Sequence, residues 1–276
     1  MGWTRVAFQG ERGAFSEEAA VAHFGEGIEL LPCRSFQEVF QRVKAGEALF
    51  GVVPIENSLA GSVHQVYDLL LAHELFIVGE VEVRISHHLI ALPGVKLAEV
   101  RQVLSHPQAL AQCQGTLARL LPHAEPVPTY DTAGSAKLLA ERGTRDAAAI
   151  ASRRAARIYG LVILREHLED DPENYTRFLV LSPSPVEPQG AAKTSLVFSM
   201  ENVPGALHRC LGAFARRGID LTKIESRPLR GRRWQYAFYV DFLGRSDEPQ
   251  VREALAELEG QTSFLRVLGS YPPARG

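Results

Sequence analysis

Residues 182–189 read Ser-Pro-Ser-Pro-Val-Glu-Pro-Gln, so three prolines stand at nearly alternate positions. Because proline fixes its own φ and restricts the residue before it, this segment is extended and rather stiff. The hydrophobic pattern on one side of the segment differs from the pattern on the other side. The segment therefore predicts a boundary, with one domain at 1–182, a linker at 183–192 and a second domain at 193–276.

Before this boundary, short apolar runs alternate with amphipathic helical patterns. Apolar runs at 4–9, 49–53 and 147–150 are typical of strands, and helical spacing follows each of them. This alternation predicts an α/β fold with mainly parallel sheets that helices cover on both faces. The extended run at 75–92 breaks the alternation, and it predicts a connection that carries the chain from one α/β lobe to a second lobe.

After the boundary, the pattern indicates a smaller unit of strands and helices. Its predicted elements are, in order, a strand at 194–200, a helix whose first position is Pro204 and whose end is Gly218, a hairpin of 219–228 and 235–242 that turns at Arg230-Gly231-Arg232, a helix at 247–259 and a strand at 264–268. The order βαββαβ is that of a ferredoxin-like domain.

The composition argues against several classes of protein. Of 276 residues, 46% are hydrophobic and 22% are charged, and the formal net charge is −2, so no basic field attracts nucleic acid or an anionic membrane. No apolar stretch approaches the ~18–20 residues of a membrane span. The cysteines Cys33, Cys113 and Cys210 form no CxxC pair, which argues against a disulfide framework or a zinc site. We therefore expect no metal and a cytoplasmic location.

Four polar segments fall where predicted strands give way to helices or loops, which is the edge at which open α/β sheets bind ligands. They lie at 8–16, 53–58, 104–108 and 174–178. The first contains a glycine turn before a helix. It is either an anion-binding turn, in which backbone N–H groups face the ligand, or a plain connection between a strand and a helix.

The second segment places Glu56, Asn57 and Ser58 directly after a buried strand. This polar group is well sited to bind a ligand. Ser62 with Gln65 predicts a capping box for the next helix, so a simple capping loop is the alternative. That alternative explains Ser62 and leaves Glu56 and Asn57 without a role.

The third segment brings Ser105 and His106 to the start of a helix, with Gln112 further along that helix. Ser105 is either a ligand contact or a helix cap, and His106 is either a general base or a structural histidine. Asp131 and Thr132 form a similar helix start later in the chain, where helix capping by Asp131 also explains the pattern.

The fourth segment carries Thr176, Arg177 and Phe178 at the start of a strand. The guanidinium of Arg177 can bind a carboxylate through two N–H groups, and the hydroxyl of Thr176 can donate a hydrogen bond. The alternative is an edge strand with one surface salt bridge. No Ser-His-Asp order, metal motif or phosphate loop competes with these four segments.

Taken together, the segments resemble, in the same order, the signature blocks of the prephenate dehydratase family. The blocks are VAFQGERGAFSEEAA (6–20), GVVPIENSLAGSV (51–63), ISHHL (85–89), LSHPQALAQC (104–113), DTAGSA (131–136) and NYTRFLVL (174–181). The resemblance covers about residues 4–270. We found no preceding helical segment of the kind that supplies chorismate mutase in fused members, so we expect the monofunctional form.

The resemblance implies a catalytic domain with two lobes, like a periplasmic binding protein, and an active site between them. The implied enzyme is a carbon–oxygen lyase that removes water and carbon dioxide from prephenate to give phenylpyruvate, without a cofactor, in the biosynthesis of L-phenylalanine. It implies catalytic roles for Thr176, Arg177, Asn57 and Glu56 and substrate contacts from Ser105, Gln112, Thr132, Ser58 and Phe178. Thr176 would donate a hydrogen bond to the leaving hydroxyl, and Arg177 would hold a carboxylate or organise the cleft.

The second domain resembles the ACT module of the same family, through Asn202-Val203-Pro204-Gly205-Ala206-Leu207 and Glu225-Ser226-Arg227-Pro228. The resemblance implies that Asn202, Pro204, Gly205, Ala206, Leu207, Glu225 and Ser226 bind L-phenylalanine as an allosteric effector. It also implies a homodimer or homotetramer. His208 departs from the family pattern, in which an apolar residue commonly follows Gly-Ala-Leu, and this departure bears on ligand choice.

Three other functions compete with this interpretation. Arogenate dehydratase performs the same chemistry on the aminated substrate. A two-lobed ligand sensor would close on its ligand without turnover, and it leaves the 174–178 block unexplained. A nucleic-acid regulator would use Arg227, Arg230, Arg232 and Arg233, which are more simply a solvated turn in a chain without net positive charge. We therefore expect neither nucleic acid nor membrane as a partner.

Overall fold

A computed structural model describes residues 4–229 and 231–274. The first lobe contains strands β1 (Thr4–Gln9), β2 (Ile28–Cys33), β3 (Phe50–Asn57), β4 (Gly61–Ser62), β5 (Phe76–Arg84) and β11 (Tyr175–Ser182), with helices α1 (Phe15–Phe24), α2 (Phe36–Lys44) and α3 (His64–Ala72). The strand order is β2-β1-β3-β11-β5, and β4 pairs with β3. Helices cover this sheet because its strands are apolar on both faces.

The second lobe is built on a separate five-stranded sheet. Its elements are β6 (His88–Ala91), β7 (Gln102–Ser105), α4 (Pro107–Gln112), α5 (Gln114–Leu120), β8 (Glu125–Pro128), α6 (Thr132–Arg142), β9 (Ala147–Ala151), α7 (Arg153–Ile158) and β10 (Val162–Arg165), with a 3-10 helix at Leu97–Glu99. The strand order is β10-β6-β9-β7-β8.

The chain passes between the lobes twice, from β5 to β6 and from β10 to β11. The first passage lies within the run at 75–92, as the sequence predicts. The two connections run side by side: Ile85 N donates to Asn174 O at 2.7 Å, and Leu168 N donates to His87 O at 2.8 Å. Two adjacent connections of this kind leave a cleft between the lobes.

The prediction of mainly parallel sheets is wrong for the strands next to these connections. In the first lobe β1 runs parallel to β2 and β3, but β11 is antiparallel to β3 and β5. In the second lobe β6 is antiparallel to β9 and β10. In each lobe one of these strands, β11 in the first and β6 in the second, comes directly after a passage from the other lobe. It is not joined to its neighbours by the right-handed crossover connection that makes adjacent strands parallel.

Two helix starts differ in how well the sequence predicts them. Asp131 caps α6, because its side chain accepts from Ala133 N at 2.7 Å and Gly134 N at 3.1 Å. The predicted capping box of Ser62 is wrong: α3 begins at His64, and Ser62 lies in β4 with its hydroxyl bonded elsewhere.

The second domain has the predicted order βαββαβ. It consists of β12 (Lys193–Ser199), α8 (Ala206–Ala215), β13 (Leu221–Pro228), β14 (Tyr236–Leu243), α9 (Pro249–Glu259) and β15 (Phe264–Tyr271), and its antiparallel sheet has the order β13-β14-β12-β15. Pro204 is not the first helical residue, because Gly205 precedes α8 with a positive φ of 77°. The predicted hairpin tip includes Arg230, which lies outside the described residues. The fold class, two α/β lobes plus a ferredoxin-like domain, is confirmed.

The two domains share one hydrophobic core. Apolar side chains of the first lobe and of the second domain form a single buried cluster. Its members in the first lobe include Tyr67, Leu70, Ile77, Leu179 and Leu181. Its members in the second domain include Val197, Ala237, Tyr239, Leu268 and Tyr271. At Gly269 of β15 the backbones almost touch, since a Cβ there would lie 2.1 Å from Ile77 O. Among the described residues, no helix is both long and apolar enough to cross a membrane.

Candidate active site

A cleft of ≈ 390 Å³ lies between the two lobes. It is lined by Gln9, Ala14, Phe15, Ser16, Phe36, Pro54, Asn57, Val63, Ile85, His87, His106, Gln108, Ala109, Gln112, Tyr130, Asp131, Thr132, Thr176 and Phe178. Both lobes contribute to this lining, so closure of the lobes would enclose a ligand. The cleft contains the predicted residues Asn57, Gln112, Thr132, Thr176 and Phe178.

Three helices begin at the cleft. The lining includes Phe15 at the start of α1, Gln108 at the start of α4 and Thr132 at the start of α6. The first N–H groups of a helix have no acceptor within the helix, and the helix dipole makes this end positive. Among the described lining residues there is no lysine or arginine. The cleft is therefore equipped to hold an anion with neutral donors and helix dipoles.

Thr176 and Asn57 form the polar floor of the cleft. They are directly opposed on β11 and β3, and Asn57 Nδ2 donates to Thr176 Oγ1 at 2.9 Å. The same amide group lies 2.7 Å from Asn174 Oδ1, while its oxygen accepts from Leu59 N and Ala60 N. Because Thr176 Oγ1 accepts from Asn57, its own proton is free to be donated into the cleft.

Gln112 is oriented by a chain of hydrogen bonds from the connections between the lobes. His87 Nε2 lies 3.0 Å from Gln112 Oε1, and Glu169 Oε2 accepts from His87 N at 2.8 Å. Burial lowers the pKa of His87, against the raising effect of its bond to Gln112 and of Glu169. A neutral His87 donates to Gln112 Oε1, and this leaves the Gln112 amide N–H groups free for an acceptor in the cleft.

His106 and Asp131 are held by helix starts. His106 Nδ1 accepts from Gln108 N at 3.3 Å, so the neutral imidazole carries its proton on Nε2. Asp131 is buried, and burial raises its pKa although the N–H groups of Gly134 and Ala133 oppose the rise. Its carboxylate oxygen already accepts two backbone N–H groups, so Asp131 is a helix cap first, which agrees with the alternative considered from the sequence.

Arg177 is not in the cleft. Successive side chains of a strand point to opposite faces, so Arg177 points away from the side that Thr176 faces. Its guanidinium bonds to Glu80 Oε2 at 2.6 Å, Asp241 Oδ2 at 2.6 Å and Tyr271 Oη at 3.1 Å. The prediction of a carboxylate clamp is therefore wrong, because these groups of the domain interface occupy the guanidinium.

Three other predicted contacts also lie outside the cleft. Glu56, the strand neighbour of Asn57, points to the opposite face and pairs with Lys223 Nζ at 2.9 Å. Ser58 donates to Glu173 O and accepts from Tyr175 N, so its hydroxyl ties two loops together. Ser105 is fully buried and donates to Ile150 O at 2.8 Å, which joins β7 to β9. Each side chain has a structural partner in place of a ligand.

Several lining residues had no role assigned from the sequence. Phe15 and Ser16 lie in the first glycine-turn segment, for which the sequence allows two interpretations, and His87 lies in the ISHHL block, which resembles the family but predicts no function for its residues. Gln9 and Tyr130 carried no signal beyond their position near the ends of strands. The common signal is position: all five follow or end a strand at the edge that faces the cleft.

A second pocket, of ≈ 500 Å³, lies in the ferredoxin-like domain. It is lined by Met200, Asn202, Val203, Gly205, Ala206, Leu207, His208, Ser226, Tyr236 and Phe238. Five predicted effector contacts, Asn202, Gly205, Ala206, Leu207 and Ser226, are therefore together. His208 joins them in the lining, so the residue that departs from the family pattern faces the pocket.

Two predicted effector contacts are not in this pocket. Pro204 is absent from the lining because the turn at Gly205 separates it from the first residue of α8. Glu225 faces the catalytic domain, where Ser62 Oγ donates to its carboxylate at 2.6 Å. Since Ser226 is its strand neighbour, the two side chains lie on opposite faces of β13, and one face alone serves the pocket.

A two-lobed α/β domain with a cleft of hydroxyl, amide and imidazole groups, joined to a ferredoxin-like domain that has a pocket of its own, is typical of an enzyme of small-molecule metabolism. Residues 6–186 match the family model of prephenate dehydratase, and residues 194–260 match that of the ACT domain. The chain belongs to the prephenate dehydratase family, whose members include arogenate dehydratases, and it is a dehydratase of the lyase class.

The similar proteins include dehydratases described for arogenate and dehydratases described for prephenate. The arogenate dehydratase/prephenate dehydratase 2 of Arabidopsis thaliana, described as chloroplastic, is 49% identical over 279 residues, which is 97% of this chain and 72% of that protein. The solved structure of prephenate dehydratase in complex with L-Phe from Arthrobacter aurescens has a TM-score of 0.90 and 38% identity, and the match covers 98% of this chain and 90% of that one.

A third similar protein is described as a novel type of quorum-quenching acylase. Its structure has a TM-score of 0.89 and 38% identity, and the match covers 98% of each chain. The same fold therefore carries different described activities, and the chemistry of the cleft has to be argued from its side chains.

Proposed function

We propose that this chain converts prephenate to phenylpyruvate, with L-phenylalanine as its allosteric effector. The observation that supports the reaction most directly is the hydrogen bond from Asn57 Nδ2 to Thr176 Oγ1 at 2.9 Å. This bond fixes the threonine oxygen as an acceptor and directs its proton into the cleft. A hydroxyl so oriented is suited to donate to the departing ring hydroxyl of the substrate.

The reaction needs one proton and no redox partner. The bond between the ring and its carboxylate breaks, its electron pair moves into the ring, and the bond between the ring and its hydroxyl breaks. Carbon dioxide leaves, the departing oxygen takes a proton to become water, and the ring becomes aromatic. Threonine is too weak an acid to supply that proton alone, so Thr176 stabilises the charge on the departing oxygen by its hydrogen bond while the proton comes from solvent.

The lining suits a dianion with two carboxylates. The start of α1 offers N–H groups, and Gln112 and Thr132 add neutral donors, whereas Gln108 N of α4 and the N–H groups of Ala133 and Gly134 in α6 are already bound by His106 and Asp131. The rings of Phe15 and Phe178 form apolar parts of the wall against which a six-membered carbon ring packs. We infer that the two carboxylates contact the start of α1 and these neutral donors while the ring lies against the aromatic side chains, which places its hydroxyl toward Thr176.

The keto acid fits this cleft better than its aminated counterpart. Arogenate carries an ammonium group, which needs an anionic acceptor when it is removed from water. Asp131 is the only carboxylate among the described lining residues, and its Oδ1 already accepts from the N–H groups of Ala133 and Gly134. We therefore propose prephenate as the preferred substrate and arogenate as a slower one.

The ACT pocket is the proposed site of L-phenylalanine. Ser226 and Asn202 offer polar contacts, and Met200, Tyr236 and Phe238 are apolar or aromatic. Beside the pocket, Val203 is 46% exposed. An apolar side chain in that position suits a second copy of the chain, so we propose a homodimer, or a dimer of dimers, that pairs through this domain in the cytoplasm. An effector that binds one arrangement of subunits more tightly would shift the enzyme toward it.

The deciding experiment measures turnover of purified protein on prephenate and on arogenate, each with and without L-phenylalanine. We expect phenylpyruvate from prephenate at a higher kcat/KM than phenylalanine from arogenate, and a change in the rate when L-phenylalanine is added. A higher kcat/KM on arogenate would reverse the substrate assignment. Turnover that ignores L-phenylalanine would remove the effector assignment, and binding of other amino acids would then be compared with a His208→Val variant.

The acylase described for one structural relative provides a control reaction. Amide cleavage by an activated hydroxyl needs a base within hydrogen-bond reach of the nucleophile. Thr176 Oγ1 is bonded to the amide nitrogen of Asn57, which is a donor and cannot accept the proton. We therefore expect hydrolysis of an N-acylated test substrate to be undetectable beside dehydration, and the reverse result would make the acylase the principal activity.

A further inference from the structure

One face of the ACT strand β13 is bound to the catalytic domain. Its residues are alternately half-buried and exposed from Leu221 to Pro228. The half-buried side chains Lys223, Glu225 and Arg227 all contact the first lobe. The exposed set includes Ser226, which lines the effector pocket. The strand therefore carries the effector pocket on one face and the catalytic contacts on the other.

The contacts of Lys223 and Glu225 converge on a single small hairpin, formed by β3 and β4, whereas Arg227 pairs with Asp68 of α3. Glu56 and Ser62 are directly paired across this hairpin. Lys223 Nζ lies 2.9 Å from Glu56 Oε1, and Ser62 Oγ donates to Glu225 Oε2 at 2.6 Å. Lys223 and Glu225 are mostly covered, with side-chain exposures of 12% and 19%. One cross-strand pair of the catalytic domain is thus held at both ends by the ACT domain.

The same hairpin determines the orientation of Asn57. Asn57 is paired with Gly61 across it, and Asn57 Oδ1 accepts from Leu59 N at 3.1 Å and Ala60 N at 2.9 Å in the hairpin turn. When the turn fixes the amide oxygen, it also places the amide nitrogen, which lies within hydrogen-bond distance of Asn174 Oδ1, Tyr175 O and Thr176 Oγ1. A hairpin that shifts or rotates therefore changes the position of the donor that orients the Thr176 hydroxyl.

The geometry assigns Glu225, with Lys223, as a positioning residue for the dehydration: the ACT strand holds the Glu56–Ser62 pair and thereby keeps Asn57 aimed at Thr176. This assignment rests on the proposed function. It also gives the sequence Glu225-Ser226 two separate functions, because only Ser226 faces the effector. Occupation of the pocket on one face of β13 can then alter the hairpin on the other face without any contact between effector and substrate.

The test uses the full-length chain and the substitutions Glu225→Ala, Glu225→Gln and Ser62→Ala. Positioning acts in the transition state, so we expect Glu225→Ala to lower kcat about tenfold at saturating substrate with KM changed less than about twofold. Glu225→Gln keeps an oxygen that accepts from Ser62, and it should recover kcat to within about threefold of the wild type. Ser62→Ala should resemble Glu225→Ala, and the double variant should be no slower than the slower single one.

A matched control is Glu257→Ala, which removes a glutamate of the same domain that pairs with Arg217 at 2.7 Å and not with the catalytic domain. It should leave kcat unchanged. L-phenylalanine should bind Glu225→Ala with nearly the wild-type Kd, because Glu225 faces away from the pocket. Loss of effector binding with unchanged kcat would overturn the assignment and return Glu225 to the effector site. A lower Tm with unchanged kcat would overturn it as well.

Hydrogen exchange separates this inference from the proposed function. In Glu225→Ala, amide exchange should rise in residues 54–63 and stay at the wild-type level in 147–158 of the second lobe. If the wild type turned over neither prephenate nor arogenate, the proposed function would fail, and the exchange result would still decide whether Glu225 positions the hairpin. Unchanged exchange at 54–63 together with unchanged kcat would overturn the assignment.

Discussion

Thr176 and Arg177 are neighbours in β11, and their side chains act on opposite faces of the sheet. Thr176 meets Asn57 in the cleft, while Arg177 meets Glu80 and Asp241 at the domain interface. The same division separates Asn57 from Glu56. At the scale of single residues, function in this protein is therefore decided by the alternation of strand side chains, and adjacent polar residues have unrelated partners.

The Thr176 hydroxyl gives the first prediction. Thr176→Val keeps the shape of the side chain and removes its donor, so kcat should fall on the order of 10²–10³-fold, the loss found when one transition-state donor is removed. Thr176→Ser restores the hydroxyl and should recover most of the rate. Prephenate turnover and Tm are the measurements. If Thr176→Val had wild-type kcat with an unchanged Tm, the central catalytic assignment would be wrong.

Arg177 gives the second prediction, on stability. Burial alone would lower its pKa, and the charges of Asp241 and Glu80 raise it instead. Arg177→Ala removes the cation that pairs with Asp241 and one of the two that pair with Glu80, and it should cost about 3–5 kcal/mol of unfolding free energy. Denaturant unfolding measures this loss. A large rise in KM with undiminished stability would contradict it and would return Arg177 to the cleft as a carboxylate clamp.

The sequence predicts the position of these residues along the chain better than their direction. It places Asn57, Thr132 and Thr176 at strand ends or helix starts and Gln112 further along a helix, and the structure brings all four into one cleft. The sequence does not show that Arg177 faces away from the cleft. Alternation along a strand is visible in the sequence, but which face packs on the cleft and which on the second domain is known only from the structure. The groups that bind Arg177 lie 64 to 97 residues away along the chain.

At the scale of elements, β15 and β13 attach the ACT sheet to the first lobe by different means. β13 uses ion pairs such as Lys223–Glu56 and Arg227–Asp68. β15 uses close approach, because Gly269 faces the backbone of β5 with no room for a side chain. A glycine in a strand gave no prediction of an interface, since a bulge or a bend would produce the same residue.

Gly269→Ala tests this close packing, because the added methyl group is expected to push β15 away from β5. Its Cβ would lie 2.1 Å from Ile77 O, a backbone atom that can move only with its strand, and φ is +155°. We expect a loss of about 2–3 kcal/mol, seen as a Tm lower by roughly 5–10 °C in calorimetry. Gly260→Ala is the control, since φ there is −66° and the nearest atom is 3.6 Å away. Equal Tm values for the two variants would argue against close packing at Gly269.

At the scale of the whole molecule, the domains are joined by buried charge as well as by apolar contact. Glu80 bonds to Arg177 Nε and Lys193 Nζ, both at 2.6 Å. Burial would raise the pKa of Glu80, but Arg177, Lys193 and the N–H of Ala274 lower it below its ordinary 4.5. A carboxyl with a lowered pKa in the folded state adds stability above its ordinary pKa, and that stability is lost as pH falls through the folded-state value.

Comparison of the wild type with Glu80→Gln tests this linkage. The difference in Tm should be largest at neutral pH, begin to shrink as pH falls below about 4.5, and vanish once Glu80 is protonated in the folded wild type. Calorimetry across this range gives the result. A difference that stayed constant from pH 7 to pH 3 would show that Glu80 contributes through its shape or neutral hydrogen bonds alone.

The hydrophobic cluster that spans the two domains bears on how the proposed response to L-phenylalanine could be removed by engineering. Deleting the ACT module after residue 182 would expose Tyr67, Leu70, Ile77 and other side chains of the common cluster, and it would leave Glu80 and Arg177 without Asp241 and Lys193. Such a truncation should yield an aggregating product rather than a free catalyst. Point substitutions on the outer face of β13 and α8, which leave this interface intact, are the better route to an enzyme that does not respond to the proposed effector.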